Sequence, residues 1–233
     1  MSRSIYPALS GAKAAWSQME IVSNNLANTS TDGFKQHRVS LAAVRTSPEV
    51  LGNSFVAIDE QAQDMSDGSL RQTGGETHFA LRGRGFFAVQ GEDGEILQRA
   101  GNFRMDSEGR LVNQKGQAVL SDAGTIEIPD REHIKVDKKG VIRTDDGSEI
   151  GRLKLVDVDE ATMLGHGQWK AAGPTRQPEN ITVLQGALEG SNADPIKGMV
   201  ELVEASRYFE AYQKAMKTSD DLDAKANDIM RTQ

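Results

Sequence analysis

The chain has 233 residues, a net charge of −7 spread without blocks, and 37% hydrophobic residues, which is room for one large domain or two small ones and enough apolar content for one compact core plus extended elements. With no cysteine there is no disulfide, no thiolate metal site and no cysteine nucleophile. With no basic run or stripe, nucleic-acid binding lacks electrostatic support, and no stretch reaches the about 18 apolar residues that a bilayer span needs.

Residues 4–27 read as a helix. Ile5, Leu9, Ala12, Trp16, Met19, Val22 and Leu26 recur at steps of three and four, and Ala8, Ala12, Ala14 and Ala15 raise helix propensity. Gly11 opposes it by about 1 kcal/mol, but small residues beside the stripe allow a partner helix to come close. The opening MSRSIYPALSG lacks the apolar core of a secretory signal, so any export is expected to use another route. The helix stops at NNLANTSTDGFK, a run of turn formers ended by Gly33.

Phe34 to Val44 fits either a short helix or an extended segment. Residues 47–53 read as loop, and Asp64 to Gly75 as an extended arm. From Thr77 the period becomes two. Phe79–Leu81, Phe86–Val89 and Glu95–Gln98 are short strands, with a hairpin connection at Gly91-Glu92-Asp93-Gly94 and a second at Ser107-Glu108-Gly109. Further short strands follow to Val158 at spacings near ten residues. This predicts a mostly antiparallel β module whose core uses Phe79, Leu81, Phe87, Val89, Phe103, Leu111, Ile126, Ile128, Val136, Ile142, Leu153 and Leu155. Residues 160–193 return the chain, with Ile181–Gln185 expected to pair with the arm near residues 69–73.

Asp194 to Arg231 reads as one long helix, capped by Asp194 with Pro195 at the first helical position. Its stripe is Ile196, Met199, Leu202, Ala205, Phe209, Tyr212, Met216, Leu222, Ala226 and Ile229, with the spacing of a coiled-coil seam, and charge is expected on the other faces. At 1.5 Å per residue the helix is roughly 55 Å long, too long to lie wholly on a small domain. The two terminal helices are expected to pack on each other, with part of the longer seam left uncovered and in want of neighbours.

Sequence elements that suggest chemistry have plainer readings. Gly83-Arg84-Gly85-Phe86-Phe87-Ala88 fits G-x-G-x-x-A, but the dinucleotide motif needs a helix to begin inside it, and FFAVQ is strand-like. His37, His78, His133 and His166 are scattered, and Asp137 to Asp146 lacks the alternating ligand order of a calcium loop. No G-x-S-x-G elbow occurs. No catalytic, cofactor-binding or metal residues are assigned, and no enzymatic activity is expected.

Three stretches carry a resemblance. SNNLANTSTDGFK after an N-terminal helix resembles the signature of the bacterial flagellar axial proteins, which form rod, hook and hook-associated segments. The middle, GSLRQTG then FALRGRGFFAVQ, RAGNFRMDSEGRLVNQKGQAVL and GRLKLVDVD, and the end, LEGSNADPIKGMVELVEASRYFEAYQK, resemble the flagellar basal-body rod proteins over almost the whole chain. Asn24, Asn25, Leu26, Ala27, Asn28, Gly33, Phe34, Glu189, Ser191 and Asn192 fall on the family signatures. Departures are Arg84 where the family usually has aspartate, read as a surface charge change, and Ala193 and Ala211 where it often has valine and asparagine.

The resemblance implies an α+β protein. Residues 1–40 and 181–233 would form a coiled-coil-like stem of long N- and C-terminal helices, 41–76 an extended arm, and 77–180 a mostly antiparallel all-β domain. It implies a structural rod subunit, proximal by its short middle, with a distal rod or hook-type protein as the alternative. Assembly would use Ile5, Leu9, Trp16, Met19, Val22, Leu26, Met199, Leu202, Phe209, Tyr212, Met216, Leu222 and Ile229. Partners would be other copies, neighbouring rod proteins and the flagellar type III export apparatus, with no nucleic acid and no membrane span. The site would be the rod crossing the periplasm, reached without a cleaved signal peptide. The competing class is a secreted glycan-binding or hydrolytic module that oligomerises by helices, which a cleft with converging polar groups in residues 77–175 would favour.

Overall fold

A computed structural model describes residues 5–45, 54–92, 94–129, 133–165 and 167–231. The chain forms two units, each assembled from separate stretches: the first from Met1–Ala27, His37–Asp64 and Asp194–Gln233, the second from Asn28–Gln36 and Met65–Ala193.

The first unit contains α1 (Ile5–Ala27), a hairpin of β1 (His37–Arg45) and β2 (Ser54–Gln63), and α2 (Pro195–Arg231). Asp194 starts α2 as expected: its Oδ1 accepts from the N–H of Ile196 (2.8 Å) and of Lys197 (3.2 Å). The helices pack antiparallel, with the Trp16 and Phe209 ring centroids 5.6 Å apart. Gly11 lies so close to Tyr212 that a Cβ there would fall 2.4 Å from its ring. A Cβ on Gly198 would stand 3.9 Å from Leu26. Between Phe34 and Val44 the extended alternative is the one observed, since β1 pairs with β2 from His37↔Gln63 to Arg45↔Ser54 with a bulge at Ser40/Leu41. The predicted loop at 47–53 lies outside the described residues.

The second unit is a set of small antiparallel sheets. Its strands are β3 (Leu70–Gln72), β4 (Phe79–Arg82), β5 (Phe86–Gly91), β6 (Gly94–Gln98), β7 (Arg104–Met105), β8 (Leu111–Val112), β9 (Leu120–Ser121), β10 (Gly124–Thr125), β11 (Ile134–Val136), β12 (Val141–Thr144), β13 (Glu149–Arg152), β14 (Leu155–Val156), β15 (Ala161–Gly165), β16 (Gln168–Ala171), β17 (Thr182–Gln185) and β18 (Ala187–Glu189). The largest sheet has the order β14-β5-β6-β16-β15. Both expected hairpins form: β5 and β6 close at Gly91↔Gly94, and β7 and β8 pair across a turn that Asp106 holds through the N–H groups of Glu108 and Arg110, both at 2.9 Å.

The continuous apolar run Phe86–Val89 is buried on both faces. Phe87 and Val89 join the main core with Phe79, Leu81, Phe103, Leu111, Ile126, Ile128, Ile142 and Leu153. Phe86 and Ala88 join a second cluster around Trp169, Leu97, Val156 and Val158. Val136 and Leu155, expected inside, only flank the main core, while Val119, Ile134 and Val183 complete it.

The return strand pairs one step away from expectation. Thr182–Gln185 lies on β4, with Val183 opposite Leu81, and it is β18 that pairs with the arm strand β3, Leu188 opposite Arg71. Gly186, at φ +74°, makes the turn that separates the two pairings, and it puts Val183 into the core instead of onto the arm.

Candidate functional site

Two places in the molecule concentrate unusual side chains, one in each unit. In the first unit the helices bury small residues and leave large ones out. Ala12, Ala14, Ala15 and Val22 are buried on α1, and Ala205 on α2. Leu202, Phe209, Tyr212 and Met216 are half-buried on the α1-facing side, as are Met19 and Leu26 on α1. Leu9 and Trp16, by contrast, are 55% and 51% exposed. Ile196, Met199, Val200, Val203 and Leu222 also have more than half their surface in solvent. The side chains of Ile5, Ala226 and Ile229 lie outside the described residues.

The exposure at the start of α2 has a geometric cause. The steps Ile196, Met199, Leu202, Ala205 are three threes in a row. At about 100° per residue each turns the stripe back by about 60°, so three carry it about halfway round. A seam alternates threes and fours to avoid this drift. Ile196 and Met199 therefore stand on the side away from Ala205 and Phe209, next to Val200 and Val203. This corrects the expectation that the other faces of the helix are charged: the first turns of α2 carry two apolar faces.

In the second unit the two family signatures meet around one carboxylate. Glu189 is 1% exposed, as is Lys35, and Arg99 is fully buried. Glu189 Oε1 accepts from Lys35 Nζ (2.7 Å) and from the N–H of Gly68 (2.9 Å), while Oε2 accepts from Arg99 Nε. The backbone C=O of Glu189 accepts from the N–H of Gly33 at 2.7 Å. Arg99 places all its N–H groups: beyond Glu189 it donates to the carbonyls of Leu81 (2.9 Å), Gly83 (2.7 Å) and Gly85 (2.6 Å) and to Asp67 Oδ1 (3.2 Å). Lys35 also reaches the C=O of Ser66 at 2.6 Å. Burial holds the Lys35 ammonium below its ordinary pKa of 10.5, with Glu189 pulling the other way. Asn192 adds polar ties: its Oδ1 accepts from the N–H of Gln36 (2.7 Å), and its Nδ2 donates to the C=O of Ser66 (3.2 Å).

Thus Gly33, Phe34, Glu189 and Asn192 of the signatures come together, and Ser191 alongside accepts through its Oγ from the N–H of Ala193 at 3.1 Å. Asn25 acts within the first unit, gripping the backbone of His37 through its N–H and its C=O, both at 2.8 Å. Sequence reading missed Lys35, Asp67 and Arg99 as members of the cluster. The signal, visible only afterwards, is a cation set among apolar or glycine residues, as in Phe34-Lys35 and Arg99-Ala100-Gly101.

The remaining chemical suggestions resolve into structure. The glycine turn at 83–85 leads into β5, and its carbonyls serve Arg99. Arg84 does more than change surface charge: it pairs with Asp157 (3.1 Å) and donates to the C=O of Val158 (2.7 Å). Asp137 caps the turn before β12 through the N–H of Lys139 (2.8 Å) and of Val141 (3.0 Å). His78 Nδ1 lies 2.9 Å from Thr73 Oγ1, and His133 pairs with Glu76 at 2.6 Å. An open hollow of about 450 Å³ beside His133 contains Glu76, Lys135 and Asp145, whose charges are already paired.

A helix early in the chain, a β module after it, a helix late in the chain and the signature stretches that meet at Glu189 follow the order of the flagellar axial proteins. The family models agree in chain order: "Flagella basal body rod protein" matches residues 5–35, "Flagellar hook protein FlgE/F/G D1 domain" residues 80–144, and "Flagellar basal body rod FlgEFG protein C-terminal" residues 184–229. The chain is 32% identical to the flagellar basal-body rod protein FlgF of Caulobacter vibrioides, over 97% of both chains. It is 30% identical to FlgF of Escherichia coli over 99% of both, and 29% identical to FlgG of Bacillus subtilis over 95% of this chain and 97% of that one. The chain belongs to the flagellar basal-body rod protein family, and FlgF is the type it resembles.

Proposed function

We propose that this chain is a structural subunit of the flagellar basal-body rod, placed in its proximal part and polymerised through its terminal helices. The observation that carries this reading is the apolar surface the helices keep in a single subunit: Leu9, Trp16, Ile196, Met199, Val200, Val203 and Leu222 are each more than half exposed. Clustered apolar exposure of this kind marks a surface that works in contact with another.

In this reading the helices of successive subunits form a coiled-coil-like stem and cover one another's apolar faces. Ile5, Leu9, Trp16, Met19, Val22, Leu26, Met199, Leu202, Phe209, Tyr212, Met216, Leu222 and Ile229 supply the contacts. Val200 and Val203 extend them to the second face of α2. Such head-to-tail contacts do not close on themselves and propagate as a helix. The first unit, with α1 and α2, supplies the stem, and the second unit, with its β sheets, sets lateral packing. The protein acts mechanically and not as an enzyme. Its route is the flagellar type III export apparatus, and its place is the rod as it crosses the periplasm, among copies of itself and neighbouring rod proteins.

Leu222→Asp tests the reading. In the free subunit Leu222 is 62% exposed, so the change is expected to move stability by no more than about 0.5 kcal/mol. In a polymer that buries it, each contact loses about 1.5–3 kcal/mol, repeated at every subunit. Motility and rod formation are expected to fail while the purified protein melts normally. Normal rods built from this variant would defeat the proposal. A distal rod or hook-type axial protein is the second reading, since relatives named basal-body rod protein FlgG also align over nearly the whole chain.

A further inference from the structure

The second unit is entered and left at four points, between residues 27 and 28, 36 and 37, 64 and 65, and 193 and 194. The Glu189 cluster draws on the residues next to these points. Gly33 and Lys35 lie on the stretch between the first two, Ser66 and Gly68 follow the third, and Glu189 and Asn192 precede the fourth. The apolar core that runs from Phe79 to Val183 includes none of them. Contacts among residues 28–36, 65–68 and 187–193, the neck of the unit, are thus mainly polar, with Met65 packed against the second apolar cluster, while the body is joined by apolar ones.

Buried charge makes that joining mutual. Lys35 buried without Glu189 is an uncompensated cation, and Glu189 buried without Lys35 and Arg99 is an uncompensated anion; either is strongly unfavourable. Neither signature stretch can dock stably before the other. We propose that Lys35, Arg99 and Glu189 form an electrostatic clasp that closes the neck of the second unit in one mutual step, separate from formation of its apolar core.

Native-state amide exchange on the full chain tests this. Glu189→Gln keeps the shape and removes the charge. It is expected to speed exchange at the N–H groups of Gly33, Gly68 and Gly190 together, by roughly 100-fold, while the N–H groups of Leu111 and Val119 in the core change by less than about threefold. Lys35→Met, which leaves the Arg99–Glu189 pair, is expected to speed Gly33 and Gly68 by roughly tenfold on the same comparison. Core and neck amides accelerating in proportion would overturn the proposal, as would neck amides that respond singly or not at all. If both variants fail to fold, neck and body are one cooperative element and the clasp is likewise refuted.

Discussion

Replacing Gly11 by alanine sets two effects of known size against each other. In a free helix the change stabilises by about 1 kcal/mol. In this structure a Cβ at position 11 falls 2.4 Å from two ring carbons of Tyr212 and 2.9 Å from a third. Ordinary carbon contacts are about 3.5–4.0 Å, so α1 must retreat by about 1 Å or the half-buried ring must leave. Overpacking of this kind loses about 1–3 kcal/mol, and the clash wins. Gly11→Ala is expected to destabilise the first unit by about 1 kcal/mol net. In a Tyr212→Ala background the obstacle is gone, and the same change is expected to stabilise by nearly the full propensity gain. The double-mutant cycle then gives a coupling of about 2 kcal/mol. Urea denaturation of the four full-length proteins, followed by far-ultraviolet circular dichroism, measures it. A cycle additive to within about 0.5 kcal/mol would show that glycine is not what lets the helices meet there.

Two of the histidines are expected to titrate on opposite sides of 6.5. The hydrogen bond and charge of Glu76 raise His133, so the pair's contribution is fully present below pH 6.5 and is lost as pH rises through the higher folded value; Glu76→Gln is expected to return the proton NMR titration to near 6.5. Burial lowers His37, so its neutral form contributes fully above pH 6.5 and the contribution falls away as the solution is acidified below it; a His37 resonance titrating above 6.5 would contradict this. Asn25→Ala removes two hydrogen bonds to the His37 backbone and is expected to lower stability by about 1–3 kcal/mol in the same urea assay, with Asn25→Asp, which keeps the acceptor, between the wild type and the alanine variant.

The sequence was legible where one physical rule dominates. Period two located most strands and most of the core because alternation tracks burial directly, as in Phe79 and Leu81. Asp194 and Pro195 announced α2 because a cap is a local chemical need. For residues 34–44 the sequence allows helix or extended chain and offers no hairpin, because the pattern of β1 and β2 is weak. The drift of the stripe from Ile196 to Ala205 was readable in principle, since it needs only the step sizes, yet counting threes and fours together hid it. The Glu189 cluster was not readable at all beyond its signatures. The local signal of Lys35 and Arg99, a cation beside apolar or glycine residues, does not by itself mark burial, because what makes their burial tolerable stands 154 and 90 residues away.

That separation sets a timetable. A polypeptide delivered from its N-terminus brings out Lys35 early, but the carboxylate that neutralises it comes at position 189 of 233, after about four-fifths of the chain. Until then the leading stretch must stay hydrated and unfastened, and the strands between can collapse without trapping it. Completion waits on the trailing fifth, so a chain released end-first holds Lys35 apart from its carboxylate until about four-fifths of its length is out.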